Sequence, residues 1–441
     1  METTSYPESY PETACQVDGS IHSAIAPTSY KSTIFACMIG NALEWYDFVI
    51  YGYFAAIFGF LFFPSSNPTT QILASWGVFW SGFIARPLGS IIFGHIGDKT
   101  SRKHALTLSI YIMAVPTALI GLLPTYANVG ILATIALVLL RTMQGFALGG
   151  EFTGSMVFLV EHAPKDRRGM WGSWVSCSAV IGVILGSSLV AILSASLSTA
   201  SLHTWGWRLP FIISILGSVV AVYMRNNLQD PQEYLAIKAR RMEEHTPLKQ
   251  IILRHKSKIG ITVLLDFINA IAFFIIVIFF ATYFNTFLSF AENITFLINT
   301  ANMCVLAAAT LAGGWLADRV GIRKTLAYPC IGFILFSYPL FVLLQSNSYL
   351  IALGVQAIFA IMLGVFFGTI PVALSSIMPT NIRCSGLSIG HNLSMAIFGG
   401  GTPFMATGII KLTNNIASPA YLLIVAGLLS LSSLFFLSER T

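Results

Sequence analysis

The chain alternates long apolar stretches with short polar ones, and the apolar stretches recur twelve times. They cover roughly residues 33–61, 72–97, 104–124, 129–160, 169–198, 207–226, 259–288, 294–317, 325–345, 348–378, 384–412 and 417–437. A helix rising 1.5 Å per residue needs about 20 such residues to cross a hydrocarbon core of about 30 Å. Continuous runs of this length satisfy their own backbone as helices, whereas barrel strands are short and alternate apolar with polar positions. The pattern therefore predicts an all-α membrane protein with twelve transmembrane helices.

The polar connections repeat. Gly94-His95-Ile96-Gly97-Asp98-Lys99-Thr100-Ser101-Arg102-Lys103 returns as Gly314-Trp315-Leu316-Ala317-Asp318-Arg319-Val320-Gly321-Ile322-Arg323-Lys324, and Pro164…Arg168-Gly169 returns as Pro379…Arg383…Gly386. The spacing is 220 residues from Asp98 to Asp318 and 215 from Arg168 to Arg383, half of a 441-residue chain. A duplicated membrane half is the usual build of a secondary transporter. The predicted organisation is a disordered tail over 1–30, a six-helix half over 31–226, a charged linker over 227–258 and a second six-helix half over 259–441. The tail lacks a basic start followed by an apolar core, so no cleaved secretory signal is expected.

Composition and charge agree. The chain is 55% hydrophobic and 10% charged, where soluble domains carry about 25% charged residues. Of the 24 Lys and Arg, 20 fall on one side of the predicted membrane, eight of them between Arg225 and Lys258. The bias of basic residues toward cytoplasmic loops makes that side the cytoplasm, with both termini inside. The four exceptions are Arg86, Arg141, Arg208 and Lys411, with Arg208 beside Trp205 and Trp207 in an expected interfacial belt. The net charge of +6 follows from the loops and calls for no nucleic-acid partner. The six cysteines show no CxxC spacing and read as small packing residues, not a disulfide or zinc framework. No HExxH, GxSxG or phosphate-cradling Gly-rich Lys motif occurs, so no enzyme, metal or cofactor is expected. The driving force then has to be an ion gradient or the solute's own.

Ionisable groups inside the apolar runs are functional candidates by default, because each costs about 2.5–3.5 kcal/mol on insertion scales. Glu44 and Asp47 lie in the first run, Arg86 in the second and Arg141 in the fourth, all near the predicted midplane. Glu44 and Asp47 share a helix face at i,i+3, and Gln144 stands at the same spacing from Arg141. One reading is an arginine fork for a substrate carboxylate beside an acid that takes up a proton. The other is internal ion pairing that only neutralises the four. Asp47, a turn deeper, is favoured over Glu44 as proton carrier. Glu151 either relays the proton inward or pairs with a loop arginine. Asp266, with Asn269 at i+3, is the second-half counterpart of the first-helix acids. His391, beside Asn392, is read as a packing residue. Tyr51 belongs to an aromatic group with Trp45, Tyr46 and Tyr53 around the acids, a surface suited to a quaternary ammonium.

The duplicated signature resembles that of the major facilitator superfamily. Within it, Gly40-Asn41-Ala42-Leu43-Glu44-Trp45-Tyr46-Asp47-Phe48, Arg86-Pro87-Leu88-Gly89 and Gln144-Gly145-Phe146-Ala147-Leu148-Gly149-Gly150-Glu151-Phe152-Thr153-Gly154 resemble the metabolite:proton symporters, especially bacterial proline/betaine symporters. Gly169-Met170-Trp171-Gly172-Ser173-Trp174 and Gly206-Trp207-Arg208-Leu209-Pro210-Phe211 extend the likeness. The resemblance implies two pseudo-repeated six-helix halves working by alternating access. It also implies a cytoplasmic gate latched by Asp98, Arg102, Arg168, Asp318, Arg323 and Arg383. Ser101 stands where the family usually has Gly, and Ile322 is an extra residue before the second basic pair. The long C-terminal coiled coil of osmosensing betaine symporters is not seen, so osmotic activation is not expected.

The expected function is proton-coupled uptake of a small carboxylated solute such as proline or glycine betaine, by a monomer in the plasma (bacterial inner) membrane. Its partners are the solute, protons and the lipid bilayer, with Arg86, Arg141, Gln144 and Tyr51 on the solute and Asp47, Glu44, Glu151 and Asp266 on the proton. A di- or tricarboxylate symporter is the alternative, using both arginines on substrate. A transport-inactive nutrient sensor or scaffold is the alternative from another class, but it has no need of four midplane charges.

Overall fold

The computed structural model describes residues 30–226 and 248–437, which are helical nearly throughout and contain no strand. In the first half α1 runs over Tyr30–Tyr53 and continues as Ala55–Phe62. It is followed by α2 (Pro68–Lys99), α3 (Arg102–Leu122), α4 (Ile131–His162), α5 (Arg168–Ser196) and α6 (Leu209–Asn226). In the second half α7 starts at Leu248–Phe273 and carries π-helical turns at Phe274–Phe279 and Tyr283–Phe287. Then come α8 (Glu292–Val320), α9 (Ile322–Leu344) and α10 (Tyr349–Ile377). Helix α11 is built from Arg383–Ser394, a π turn at Met395–Gly399 and Thr402–Thr413, and α12 is Pro419–Ser433.

Ten of these, α3 to α12, are apolar and long enough to cross a membrane. The remaining two, α1 and α2, carry buried polar and charged residues that dilute their hydropathy: Asn41, Glu44 and Asp47 on α1, Ser75, Arg86 and Ser90 on α2. They complete the twelve. Polarity inside a spanning helix marks the wall of a cavity or a polar packing face.

Several boundaries differ from the apolar pattern. The first span is not one straight helix: Phe54 leaves helical geometry (φ −92°, ψ 13°) between the two segments. Helix α7 begins at Leu248, ahead of residue 259, and its backbone breaks at His255 (φ −115°, ψ 19°). Residues 1–29 of the expected tail over 1–30 and residues 227–247 of the expected linker over 227–258 lie outside the described residues. The interfacial belt divides as well. Trp205 is exposed, whereas Trp207 is fully buried against Phe58 and Phe62 at ring distances of 5.3 and 5.8 Å, with the Arg208 guanidinium 4.2 Å over it.

Two helix pairs set the spacing inside each half. Helices α2 and α4 touch backbone to backbone, since a methyl added at Gly145 would drive into the Gly82 carbonyl. In the second half a methyl at Gly368 of α10 would strike the Thr310 carbonyl of α8. Small residues at a crossing allow this approach, which lipid alone does not drive. The approach brings Arg86, four residues past Gly82 and just before the helix-interior Pro87, against α4. Overpacking such a contact costs about 1–3 kcal/mol. Gly145→Val is therefore expected to lower the melting temperature of the detergent-purified protein. Gly77→Ala, on a face of α2 with open space around it, is expected to leave it unchanged or slightly raised. A Gly145→Val protein that melts with the wild type would contradict this packing.

Candidate functional site

The intramembrane charges meet in a chain of contacts that crosses between the halves. The positive charge of Arg86 on α2 interacts with the carboxylates of Glu44 on α1 and Asp266 on α7, one from each half. Its Nε donates to Asn392 Oδ1 on α11 at 3.0 Å, while Nη2 has no hydrogen-bond partner. Asn392 is held in turn, donating from Nδ2 to the carbonyls of Gly149 (2.8 Å) and Ser388 (2.9 Å). Glu44 is buried with neither carboxyl oxygen hydrogen-bonded. Asp266 accepts from Asn269 Nδ2 at 3.0 Å, the i+3 pairing its spacing predicts. His391 is not merely a packing residue: its Nδ1 lies 2.9 Å from Asp266 Oδ2. Sequence spacing does not give that contact, because the partner lies on another helix.

Arg141 sits in a second group. Its Nη1 donates to Gln144 Oε1 at 2.7 Å, and its guanidinium faces the rings of Tyr51, Phe48 and Phe79 at 4.3, 5.0 and 5.7 Å. Tyr51 donates its hydroxyl to the Ser75 carbonyl at 3.2 Å. Gln144 Nε2 donates to Thr117 Oγ1 at 2.6 Å, and Thr117 donates on to Asp47 Oδ2 at 3.2 Å. Asp47 is thus linked to Arg141 through two neutral side chains. Thr117, unremarked in the sequence, is the residue that ties α3 to this chain.

Glu151 pairs with Arg225 near the end of α6, not with a loop arginine. The pairing is bidentate: Arg225 Nη1 donates to Glu151 Oε2 at 2.7 Å and Nη2 donates to Oε1. Ser109 Oγ adds a bond to Oε2 at 2.6 Å and Ser155 Oγ one to Oε1 at 3.3 Å. Arg225 is fully buried, although its place beside the charged linker makes it look like a loop cation. The signal available in the sequence was its position inside the sixth apolar run.

An aromatic cluster joins the two halves. Trp45 on α1 lies 4.9 Å from Phe273 of α7 and 6.2 Å from Phe152 of α4. Phe152 lies in turn 5.2 Å from His391 and 5.9 Å from Phe367 of α10. Rings from both halves therefore meet beside His391, which contacts Asp266, and the Arg86 guanidinium lies 5.5 Å from the Phe83 ring, a setting that accepts a cationic methylammonium by cation–π attraction. Among the described residues no group of His, Cys, Asp and Glu is arranged to hold a metal.

On the face that carries the basic loops, the two halves are joined by matching contacts. Asp98 at the end of α2 accepts from the backbone N–H groups of Cys384 (3.1 Å) and Ser385 (2.7 Å), the first turn of α11. Asp318 at the end of α8 accepts from Gly169 (2.6 Å) and Met170 (2.8 Å), the first turn of α5. A carboxylate on a helix N-terminus satisfies orphan donors and meets the positive end of the dipole. Arg102 pairs with Asp98, donates to Glu161 Oε1 at 3.2 Å and reaches the Thr380 carbonyl across the interface at 3.0 Å. Arg383 donates to Glu161 Oε1 at 2.9 Å. Glu161, which the motif spacing does not single out, joins the two arginines. Arg168 lines a surface pocket with Asp318 and Arg383. Arg323 is carried elsewhere, its guanidinium 5.7 Å from the Phe435 ring beyond α12.

The comparisons with known proteins agree with this fold. The model of the Major Facilitator Superfamily matches residues 33–403. The chain is 31% identical over 420 residues to the glycine betaine/proline/ectoine/pipecolic acid transporter OusA of Dickeya dadantii, covering 93% of this chain and 83% of that protein. It is 31% identical over 410 residues to the proline/betaine transporter of Escherichia coli (strain K12), covering 91% and 82%. A putative proline/betaine transporter of Staphylococcus haemolyticus is 35% identical over 404 residues, covering 89% and 84%. In fold it is similar to the proton:xylose symporter XylE bound to 6-bromo-6-deoxy-D-glucose, with a TM-score of 0.77 at 15% identity over 92% of this chain and 94% of that one.

Because Asp98 holds the first turn of α11, its removal is expected to open the basic face. A charged acceptor at a helix N-terminus contributes about 0.5–2 kcal/mol, equivalent to roughly 2- to 30-fold in the open population. Cys384, buried in that turn, is a built-in reporter. In a variant where it is the sole cysteine, Asp98→Asn is expected to raise its labelling by an impermeant maleimide several-fold from the basic side. Unchanged labelling with normal solute exchange would contradict a latch.

Proposed function

This chain belongs to the Major Facilitator Superfamily, and from that premise we propose that it couples proton entry to uptake of a small zwitterionic solute of the proline and betaine kind. It is a multi-pass membrane transporter, as its relatives are. In our reading the basic face and both termini are cytoplasmic, and the working unit is the monomer. The division into a tail, two halves over 31–226 and 259–441 and an intervening linker belongs to the same proposal.

The observation that carries it is Arg86. A solute site in an alternating-access carrier has to be gripped by both halves, and Arg86 is bonded to Asn392 across the interface with Nη2 left over. A single solute carboxylate suits that nitrogen, and the rings of Trp45, Phe152 and Phe273 suit the ammonium. The proton enters through competition for the same guanidinium. An ionised Glu44 faces Arg86 and offsets its charge. A protonated Glu44 no longer does, so the solute carboxylate and the proton are taken up together. Glu44 therefore moves ahead of Asp47, which is already engaged with Thr117, while Asp47 and Asp266 set the field around the site. Asp98, Arg102, Asp318 and Arg383, with Arg168 beside them, would hold the cytoplasmic face shut while the site is loaded from outside.

A di- or tricarboxylate as substrate draws support from Arg141, whose Nε and Nη2 have no hydrogen-bond partner. Its guanidinium, however, is packed among three rings and hydrogen-bonded within its own helix. A solute with one carboxylate is the better fit.

Reconstituted in liposomes with an inward proton gradient, the protein is expected to accumulate proline or glycine betaine and not 2-oxoglutarate or citrate. Glu44→Gln is expected to abolish accumulation while retaining counterflow of preloaded solute, and Arg86→Gln to abolish both. Accumulation that survives in both Glu44→Gln and Asp47→Asn would remove the acid pair from the mechanism. Uptake that follows sodium and ignores a protonophore would overturn proton coupling itself.

A further inference from the structure

A cavity of about 20 Å³ lies inside the first half, lined by Gly40, Glu44, Asp47, Ser109, Glu151 and Ser218 among others. Its walls come from α1, α3, α4 and α6, and no residue of the second half contributes. That volume suffices for one water, and a water needs two to four polar partners. The walls supply them: both oxygens of Glu44 and Oδ1 of Asp47 are buried without hydrogen bonds. Glu151 lines the same cavity, bound to Arg225 in the last turn of α6. Lys103, in the loop signature at the start of α3, donates to the carbonyl of the next residue, Asn226, at 2.6 Å, so the Glu151–Arg225 pair lies close under the basic face. The charged and titratable groups facing Glu151 are Arg225 from α6 and Glu44 and Cys37 from α1. Beyond them Arg86 faces Glu44, and Arg141 faces Asp47.

We propose that this cavity holds a proton-relaying water, and that the proton leaves the acid pair through the interior of the first half, apart from the solute's path between the halves. The step rests on the proton-coupled reading above. The Glu44 carboxyl gives its proton to the water, and the water passes one of its own to a carboxylate oxygen of Glu151. Glu151 then releases that proton toward the basic face. Arg225 keeps its charge throughout, holding Glu151 in place and making it anionic again once the proton has gone. Only O–H bonds form and break, and no other reactant is needed. Separate routes let the proton leave without waiting for the solute to clear Arg86, and they keep solvent out of the solute path.

The test fills the water's space without touching a titratable group. Ala147→Val, on the cavity wall, is expected to leave counterflow of preloaded solute at the wild-type level while proton-driven accumulation falls at least tenfold. The paired variant Glu151→Gln/Arg225→Gln, which removes the relay carboxylate without stranding its cation, is expected to lose accumulation as well. Accumulation at the wild-type level in either variant would overturn the relay, and the paired variant decides if Ala147→Val fails to fold. Wild-type protein measured in parallel separates the two claims. If its own accumulation ignores the proton gradient, the coupling reading fails. If it follows the gradient and the variants match it, the relay alone fails.

Discussion

A guanidinium buried among apolar helices has to find acceptors, and the arrangement of this protein follows from how Arg86, Arg102, Arg141 and Arg225 find theirs. Each would cost several kcal/mol left unpaired. Arg225 is neutralised completely by Glu151 within the first half, and Arg102 by Asp98 and Glu161 at the basic face. Arg141 is neutralised least directly, through Gln144, Thr117 and aromatic rings. Arg86 is shared, bonded across the interface and facing acids of both halves. The first two hold structure together. Donors are left over at Arg86, Arg141 and Arg225, but of these Arg86 is the one bonded across the interface, where an incoming acceptor would complete it.

In the proposed carrier the same constraint would give two states. Contacts within a half, such as the α2–α4 glycine crossing, bring backbones together over their length and do not open without loss of packing. Contacts between halves at the basic face combine two carboxylates on two helix N-termini and Glu161 between two arginines with close glycine approaches, Gly169 to Gly314 and Gly94 to Ser385. Each polar contact is worth on the order of 1 kcal/mol, and in the proposed carrier solute and proton binding would shift them. Asp98 on α11 matches Asp318 on α5, a carboxylate of each half on a helix N-terminus of the other.

Much of this is legible in the sequence, for a physical reason. An apolar run that spans a bilayer tolerates few ionisable residues, so Glu44, Asp47, Arg86 and Arg141 stand out against it. The i,i+3 spacing correctly ties Arg141 to Gln144 and Asp266 to Asn269, because helix geometry makes such neighbours. What the spacing does not give is the partner on another helix. Glu151 with Arg225, Arg86 with Asn392 and His391 with Asp266 are 74, 306 and 125 positions apart, and only the packed bundle joins them. Arg225 and Glu161 escape notice because at a helix end a buried charge has the same sequence context as a solvated loop charge.

The central claim is that solute and proton enter together because both act on the charge at Arg86. The most direct measurement is proton movement driven by solute alone. Liposomes holding the protein and a trapped pH-sensitive dye, with no imposed gradient and with potassium and valinomycin to dissipate charge, are given external glycine betaine. The account predicts acidification of the interior that tracks betaine entry and disappears in Glu44→Gln. Betaine entry without acidification would contradict it.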